Sequence, residues 1–487
     1  MQFLSAAALL AALGTATGLP NSNFNVTPEY AAAHGCGSKC QQILRLGNAA
    51  DLDAVGHDFA FDFFATAGNF SEAATRPSDV LKVQVLDGRT LNVDSGTTVF
   101  RIQYATRDLD GRTVPATGFV AFPFTPDFAY AHNGTARYRL AAFAHGTIGL
   151  FAGCAPSNSP DLYDYSTWQA AVQRGYAVVA TDYAGLGNNY TTHKYLTLPA
   201  HVHDVYYSVV AARKLFGRVL TREWVSFGHS QGGGAVWKLA ESEYVRNDTD
   251  YLGTVAMAPA TYIIDMLRGP GVDFTGYLSF LPFAAKRALP GYQPAFLSDV
   301  MSRRLELAET AQLCINGMLG LTLDLDKEQL FSAAGLAKDM ESLEAWQRML
   351  APAQGDRSPA PVLVVQGLND TSVLAPTTEA AWRNACRYGN EVHLRRYRGQ
   401  DHSPLMQASA PEWLAWMDDL FASRRDGRSR PARRCTAETR TPFSPEFVKQ
   451  PPEAGDELMA VLEGILNTAQ HVSKRDFCFL ISFCYCE

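Results

Sequence analysis

The stretch VSFGHSQGGGAV, residues 225–236, places a small hydroxyl residue, Ser230, inside a run of glycines. WVSF before the run is strand-like, and AVWKLAESEYV after it reads as a helix. A glycine-rich surface turn is the plain interpretation. The sharper one takes Gly228-His229-Ser230-Gln231-Gly232 as G-x-S-x-G, a motif that needs this strand-turn-helix setting. Such a turn strains the serine backbone, so glycines stand where side chains would clash. The helix that follows favours negative charge developing at its N-terminus.

A serine hydroxyl attacks only when a base removes its proton, and the base needs an orienting acid. In this topology the chain order is serine, then acid, then histidine, each on a loop after a strand. Asp370 follows VLVVQG in GLNDTSVLAP, and His402 follows VHLRRYRG in QDHSPLM. Asp401 adjoins His402, but a sequence neighbour rarely reaches Nδ1 while leaving Nε2 toward the serine, so Asp370 is preferred. His393 reads as a packed core residue within the last strand. His229 packs against the elbow. His201 and His203 lie two apart on a helix and face different sides, so they are no metal pair. An oxyanion needs backbone donors, which we assign to Gln231 and, after the early strand RLAAFAHG, to Thr147 in HGTIGLFAG.

The flanking chain fits an α/β class. RLAAFAHG (139–146), YAVVATDY (176–183), WVSFGHS, YLGTVAMAP and PVLVVQG are compact apolar runs, the pattern of strands buried on both faces. Helices alternate with them: STWQAAVQRG from a Ser166 cap, 198–217, and segments on either side of EVHLRRYR. The expected fold is a mostly parallel central sheet flanked by helices. Residues 80–259 and 361–423 form its two parts. The interval 260–360 contains no convincing strand and reads as a helical cap over the carboxyl edge, where such sheets bind ligands. Its aromatic stretch carries Phe274, Tyr277, Leu278, Phe280, Leu281 and Phe283. Residues 19–79 read as an N-terminal extension. Residues 424–487 read as a tail: an arginine-rich solvated linker, then Lys474-Arg475 and the cysteine-rich DFCFLISFCYCE, which fits a processed peptide, a strand tied by disulfides or an incorrectly translated end of the gene.

Residues 1–18 resemble a signal peptide, with an apolar run Phe3–Leu13 and small residues at Ala16 and Gly18. Sequons at Asn25, Asn69, Asn133, Asn189, Asn247 and Asn369 agree with a secreted, extracellular route, as do 9 cysteines. No Cys/His spacing resembles a zinc site. A net charge of -7 offers no basic surface to a polyanion, which argues against nucleic acid as a partner. After the first segment no apolar run is long enough to span a bilayer.

Taken together, HGTIGLFAGCAPS (145–157), WQAAVQRGYAVVATDYAGLG (168–187), GHSQGGGA (228–235) and the GLND and DHSP loops resemble the secretory lipase family, lipase A-like members of the α/β-hydrolase superfamily. The resemblance spans residues 80–420. It implies carboxylic-ester hydrolysis through an acyl-enzyme, with Ser230 as nucleophile, Asp370 as orienter and His402 as base. It further implies a cap over an acyl pocket, no cofactor and no metal, and a disulfide from Cys154 to Cys314. Lipase A-like members carry an acidic residue in the oxyanion loop, where this chain has His145-Gly146-Thr147. For the tail, 424–487, the resemblance is in keeping with a C-terminal flap over the pocket. The expected partner is a small-molecule or lipid ester met by a monomer, with transient contact at a lipid interface. Two other readings stay open: an exo-peptidase or acyltransferase on the same fold, and a binding protein on an inactive scaffold. The first would anchor an amino terminus with cap carboxylates such as Asp299, Glu306 or Glu309. The second would not need all three triad residue types in order.

Overall fold

The apolar runs that fail to alternate are the ones that must be covered on both sides, and they form the middle of a single sheet. The computed structural model describes residues 21–164, 167–267, 276–428 and 434–448. Its strands are β1 (Val80–Val85), β2 (Thr98–Arg107), β3 (Thr113–Phe122), β4 (Asp127–His132), β5 (Thr135–Ala144), β6 (Tyr176–Thr181), β7 (Leu220–His229), β8 (Tyr251–Met257), β9 (Val362–Gly367), β10 (Val392–Tyr397) and β11 (Thr436–Arg440). They lie in the order β1-β2-β3-β6-β5-β7-β8-β9-β10-β11, with β4 paired to β5. Pairing is antiparallel from β1 to β6 and parallel from β6 to β11. Every residue of β6, β8 and β9 is buried.

Two apolar layers enclose the sheet. On one face the helices Thr167–Gln173 and Pro404–Arg425 bury Trp168, Val172, Trp413 and Phe421 against Phe143, Phe227 and Val255. On the other the helices Leu198–Phe216, Gln231–Ala240 and Ala375–Arg387 bury Val205, Val209, Val236 and Ala381. The helix 198–217 stops as its sequence suggests, with Gly217 at its C-cap. The Ser166 cap lies outside the described residues.

Between β8 and β9 the described residues contain helices and no strand, including Leu281–Ala288, Asp299–Ala311, Ile315–Gly320 and Ala333–Leu350. The run 299–320, helix-favouring throughout its sequence, is two helices. Gln312 breaks it in the left-handed region at φ 50°, and the turn presents Cys314 to Cys154. That disulfide closes a loop of 160 residues and ties the cap to the segment after β5, where Gly149 also bridges Cys314 and Ile315 N–H donates to Ile148 O at 2.9 Å.

Three segments depart from the plain look of their sequence. The N-terminal extension is packed into the fold. Its helix Ser38–Val55 buries Cys40, Ile43, Leu44, Gly47 and Asp51 along one face, against the cap helix Ile315–Gly320. The approach is close enough that a Cβ on Gly47 would stand 2.9 Å from Asn316 O. The buried Asp51 carboxylate accepts from Asn316 N at 2.8 Å and Gly317 N at 2.9 Å. The tail does not leave the fold at 424 either. The helix continues to Arg425, and residues 436–440 return as β11, parallel to β10 and fastened by Cys386–Cys435. His393, third, is not packed in the core: at this edge its Nδ1 meets Thr436 Oγ1 at 2.9 Å and its Nε2 meets Glu391 at 3.3 Å. Residues 1–18 and 449–487, with the expected signal peptide, Lys474-Arg475 and the last three cysteines, lie outside the described residues.

Candidate active site

Ser230 joins β7 to the helix Gln231–Ala240 at φ 55° and ψ -116°, a conformation side chains other than hydrogen rarely adopt. The surroundings over-determine it. Ser230 N–H donates to Met257 O at 2.9 Å, and its carbonyl accepts from Ala260 N at 2.9 Å and Gly234 N at 3.0 Å. The flanking glycines are steric necessities: a Cβ on Gly232 would lie 1.9 Å from Ala144 O, and one on Gly228 would lie 2.5 Å from Gly232 O. The strain at the serine is thus held by close contact with β5.

Asp370 and His402 come from the loops after β9 and β10. The buried Asp370 carboxylate meets His402 Nδ1 at 2.9 Å and 3.1 Å through its two oxygens. Its Oδ1 also accepts from Ser372 N at 2.9 Å and Val373 N at 2.8 Å, and Oδ2 from Gln366 Nε2 at 3.0 Å. Thr378 Oγ1 donates to the other end of that Gln366 amide at 2.7 Å. Burial pulls the His402 pKa down, yet the charge and hydrogen bond of Asp370 outweigh it, and the ring sits above its ordinary value of 6.5. Asp401 does other work. It accepts from Thr371 N at 2.9 Å and His402 N at 2.7 Å, which clamps the two loops together.

The His402 ring stands 4.6 Å from that of His229, the residue before the serine. His229 Nδ1 in turn meets Asp164 Oδ1 at 3.2 Å, while Asp164 Oδ2 accepts from Gly146 N at 2.8 Å. One buried carboxylate therefore joins the elbow to the loop after β5. Leu162, Tyr163 and Asp164 all have positive φ, at 58°, 44° and 85°. Nothing in the sequence around Asp164 flags this role, because it depends on that backbone run. In the same loop Thr147 Oγ1 pairs with Tyr195 OH at 2.8 Å, and Thr147 O accepts from Tyr163 OH at 2.7 Å. Gln231 opens its helix, so its N–H has no acceptor within the helix.

A narrow cavity lies over Ser230, lined by Thr147, Tyr195, Ile263, Tyr277, Leu281 and Val373 among others. A second space shares Leu196, Ala260 and Ile263 with it and extends toward Trp346 and Leu350 of the cap. Of the aromatic cap residues, Tyr277 and Leu281 reach the cavity. Leu278 packs with Met301 and Leu305, Phe280 on Tyr195, and Phe283 on Phe151, while Phe274 lies outside the described residues. Asp299, Glu306 and Glu309 are exposed on their helix and do not line the cavity. His203 is half-buried, with Nδ1 on Arg107 O at 3.1 Å, whereas His201 is buried behind the elbow. No group of His, Cys, Asp and Glu among the described residues could hold a metal ion.

A mixed, mostly parallel sheet with helices on both faces, a serine elbow after one strand and an Asp–His pair at the ends of two others defines an α/β-hydrolase. The chain matches the secretory lipase family over residues 162–428 and belongs to it. It is an enzyme of the carboxylesterase/lipase type. Its fold is similar to that of Candida antarctica lipase A, with a TM-score of 0.58 at 15% identity over 77% of this chain and 88% of that one. It is also similar to the rice cell wall degrading esterase LipA from Xanthomonas oryzae, with a TM-score of 0.55 at 18% identity over 72% of this chain and 97% of that one. A putative hydrolase from Legionella pneumophila gives 0.57 at 19% identity, over 72% of this chain and all 100% of that one. At such identities the likeness is one of fold. No curated protein matches the sequence.

Proposed function

We propose that this enzyme is a secreted serine hydrolase that cleaves a hydrophobic carboxylic ester through an acyl-enzyme, with Ser230 as nucleophile, His402 as base and Asp370 as orienting acid. The observation that carries the reading is the buried Asp370–His402 pair, its imidazole 4.6 Å from the ring of His229, the residue before a strained serine that lines an apolar cavity. His402 Nε2 takes the hydroxyl proton as Ser230 Oγ adds to the ester carbonyl carbon. The resulting imidazolium is balanced by Asp370, whose charge already favours it. The oxyanion is received by Gln231 N–H and Thr147. Gly146 is a poor donor here, since its N–H is already bonded to Asp164. Collapse expels the alcohol, which takes the proton from His402. Water then adds to the acyl-enzyme, giving its proton to the same nitrogen; collapse breaks the bond to Ser230 Oγ, the serine takes that proton back from His402, and the acid leaves.

Apolar walls favour an acyl chain or another hydrophobic group, of the kind a triacylglycerol or a secondary-metabolite ester carries. Cap carboxylates that would anchor a peptide amino terminus point to solvent, which disfavours the exo-peptidase. Secretion is supported by three disulfides. Exposed sequon asparagines at 25, 69, 133, 189, 247 and 369 agree with it. No helix among the described residues is long and apolar enough to cross a membrane.

The test is a chain-length series of p-nitrophenyl esters run beside an amino-acid anilide, on the wild type and Ser230→Ala. Ester hydrolysis that disappears in the variant is expected. Preference for the anilide would move the assignment to a peptidase, and an unchanged ester rate would remove Ser230 as nucleophile.

A further inference from the structure

Behind the elbow lies a cluster of imidazoles that the ester mechanism does not use. His145, His193 and His201 are 2%, 0% and 1% exposed. The rings of His193 and His201 stack at 5.2 Å, and Tyr183 packs 4.4 Å from His201 and 4.3 Å from His145. Into this cluster runs the side chain of Gln231, itself 1% exposed. Its Nε2 is 3.2 Å from His193 Nε2 and 3.1 Å from His201 Nε2.

The far side of each ring favours one proton position. His193 Nδ1 donates toward the carbonyl of Ala184 at 3.4 Å, which leaves its Nε2 as an acceptor. His201 Nδ1 makes no hydrogen bond among the described residues but lies 4.0 Å from Asp204 Oδ2, whose charge favours a proton on that nitrogen and an accepting Nε2. An amide NH₂ has two hydrogens to give, and two neutral imidazoles take one each. A glutamine buried without such partners would be destabilising, and a small residue would fit after the nucleophile at no such penalty.

Resting on the assignment of Ser230 as nucleophile, we infer that His193 and His201 are positioning residues for the oxyanion site: by gripping the Gln231 side chain they aim the Gln231 backbone N–H at the developing charge. The groups that face the pair agree with neutral rings. His145 approaches from the end of β5, Asp204 and His203 from the helix Leu198–Phe216, Tyr183 from the loop after β6, and Arg287 from the cap, with Nη1 3.0 Å from His193 O. Burial first, and then the neighbouring His201 and Arg287, push His193 well below its ordinary value, and burial lowers His201 against the pull of Asp204. Arg287 also donates to Leu150 O at 3.0 Å. The seating of the cap is thereby coupled to both sides of the oxyanion site.

The experiment is a double-mutant cycle on ester hydrolysis with Gln231→Met, His201→Leu, the two combined, and His201→Gln, whose amide oxygen can replace Nε2 as acceptor. Gln231→Met and His201→Leu are each expected to lower kcat roughly ten- to a hundredfold with KM held within about twofold, because only transition-state alignment is lost. The combined variant should be no slower than Gln231→Met alone, and His201→Gln should stay within about threefold of wild type. Losses that multiply in the combined variant would overturn the inference. So would a His201→Gln rate as low as that of Gln231→Met, a comparison that stands even if the leucine variant does not fold. Ser230→Ala run alongside separates the two levels. An active Ser230→Ala takes down the nucleophile assignment and this inference together, whereas an inactive one with multiplying losses removes the inference alone.

Discussion

Replacing Gln366 with methionine tests whether the acid of the Asp–His pair is held by its own bonds or merely by the shape of its loop. Gln366 sits fully buried at the end of β9 and donates to Asp370 Oδ2 at 3.0 Å. Val373 O at 3.0 Å and Gly367 O at 3.1 Å share the two hydrogens of the same NH₂ with Asp370, and the amide oxygen accepts from Thr378 Oγ1 at 2.7 Å. Methionine keeps the length and loses all of these. A hydrogen bond to a buried charge is worth about 1.5–3 kcal/mol, and the orphaned Thr378 hydroxyl adds about 1 kcal/mol more. We therefore expect the variant to unfold in urea with about 3 kcal/mol less stability. If the lost bond is felt in the transition state, where Asp370 must balance an imidazolium, kcat falls roughly ten- to a hundredfold with KM little changed. A further signature separates this from simple loosening. With one donor fewer to share its charge, Asp370 pulls harder on the His402 proton, so the acid limb of kcat/KM moves to higher pH. Wild-type kcat, or a fall in stability with no change in the pH profile, would refute the reasoning.

The remaining predictions concern pH, the elbow and the cap. His402 titrates above 6.5 in the folded enzyme and must be neutral to act as base, so the acid limb of kcat/KM should reach half its height above pH 6.5. A profile level down to pH 5 would exclude it as base. His145 behaves oppositely: burial lowers it to about 4 from 6.5, so its neutral form favours folding above the unfolded value. That contribution, about 3 kcal/mol, is lost as pH falls from 6.5 toward 4, and His145→Gln should flatten the acid side of a stability-against-pH curve. Gly232→Ala drives a Cβ to 1.9 Å from Ala144 O and should abolish activity, while Gly68→Ala, with open space around it, should match wild type in the same ester assay. Cys154→Ser with Cys314→Ser opens a loop of 160 residues, which chain entropy values at about 5 kcal/mol, and a denaturation midpoint unmoved by the change would contradict that value.

What the sequence discloses about this fold follows from the range over which its signals act. The elbow, the order of Ser230, Asp370 and His402, and the strands β5 to β9 are local patterns: a glycine motif, loops after apolar runs, and runs buried on both faces that therefore do not alternate. The pairing of Cys154 with Cys314 is not local, and it came only through the family resemblance. β11, TAETR, has no apolar pattern at all. Backbone pairing with β10 and the bond from Cys435 to Cys386 make it a strand, and both partners are far off in the chain. β1 is half exposed at the opposite edge and equally weak as a signal. The N-terminal helix hides for a different reason, since the face it buries includes Gly47, Asn48 and Asp51, residues that read as loop.

The polar supports of the site share this invisibility. Asp164 lies 65 residues from His229, and Gln231 lies 38 and 30 residues from the histidines that grip it. Each is an ordinary residue in its own segment and acquires a function only from its partner. The reacting groups we propose can thus be found by motif, because the chemistry fixes their type and order. The groups that aim them are fixed only by burial, which demands that every amide and carboxylate behind the elbow find a mate. It follows that substitutions at Gln366, His193, His201 or Asp164 should leave the motif intact and still impair hydrolysis, whereas exposed cap carboxylates such as Glu306 and Glu309 should change freely.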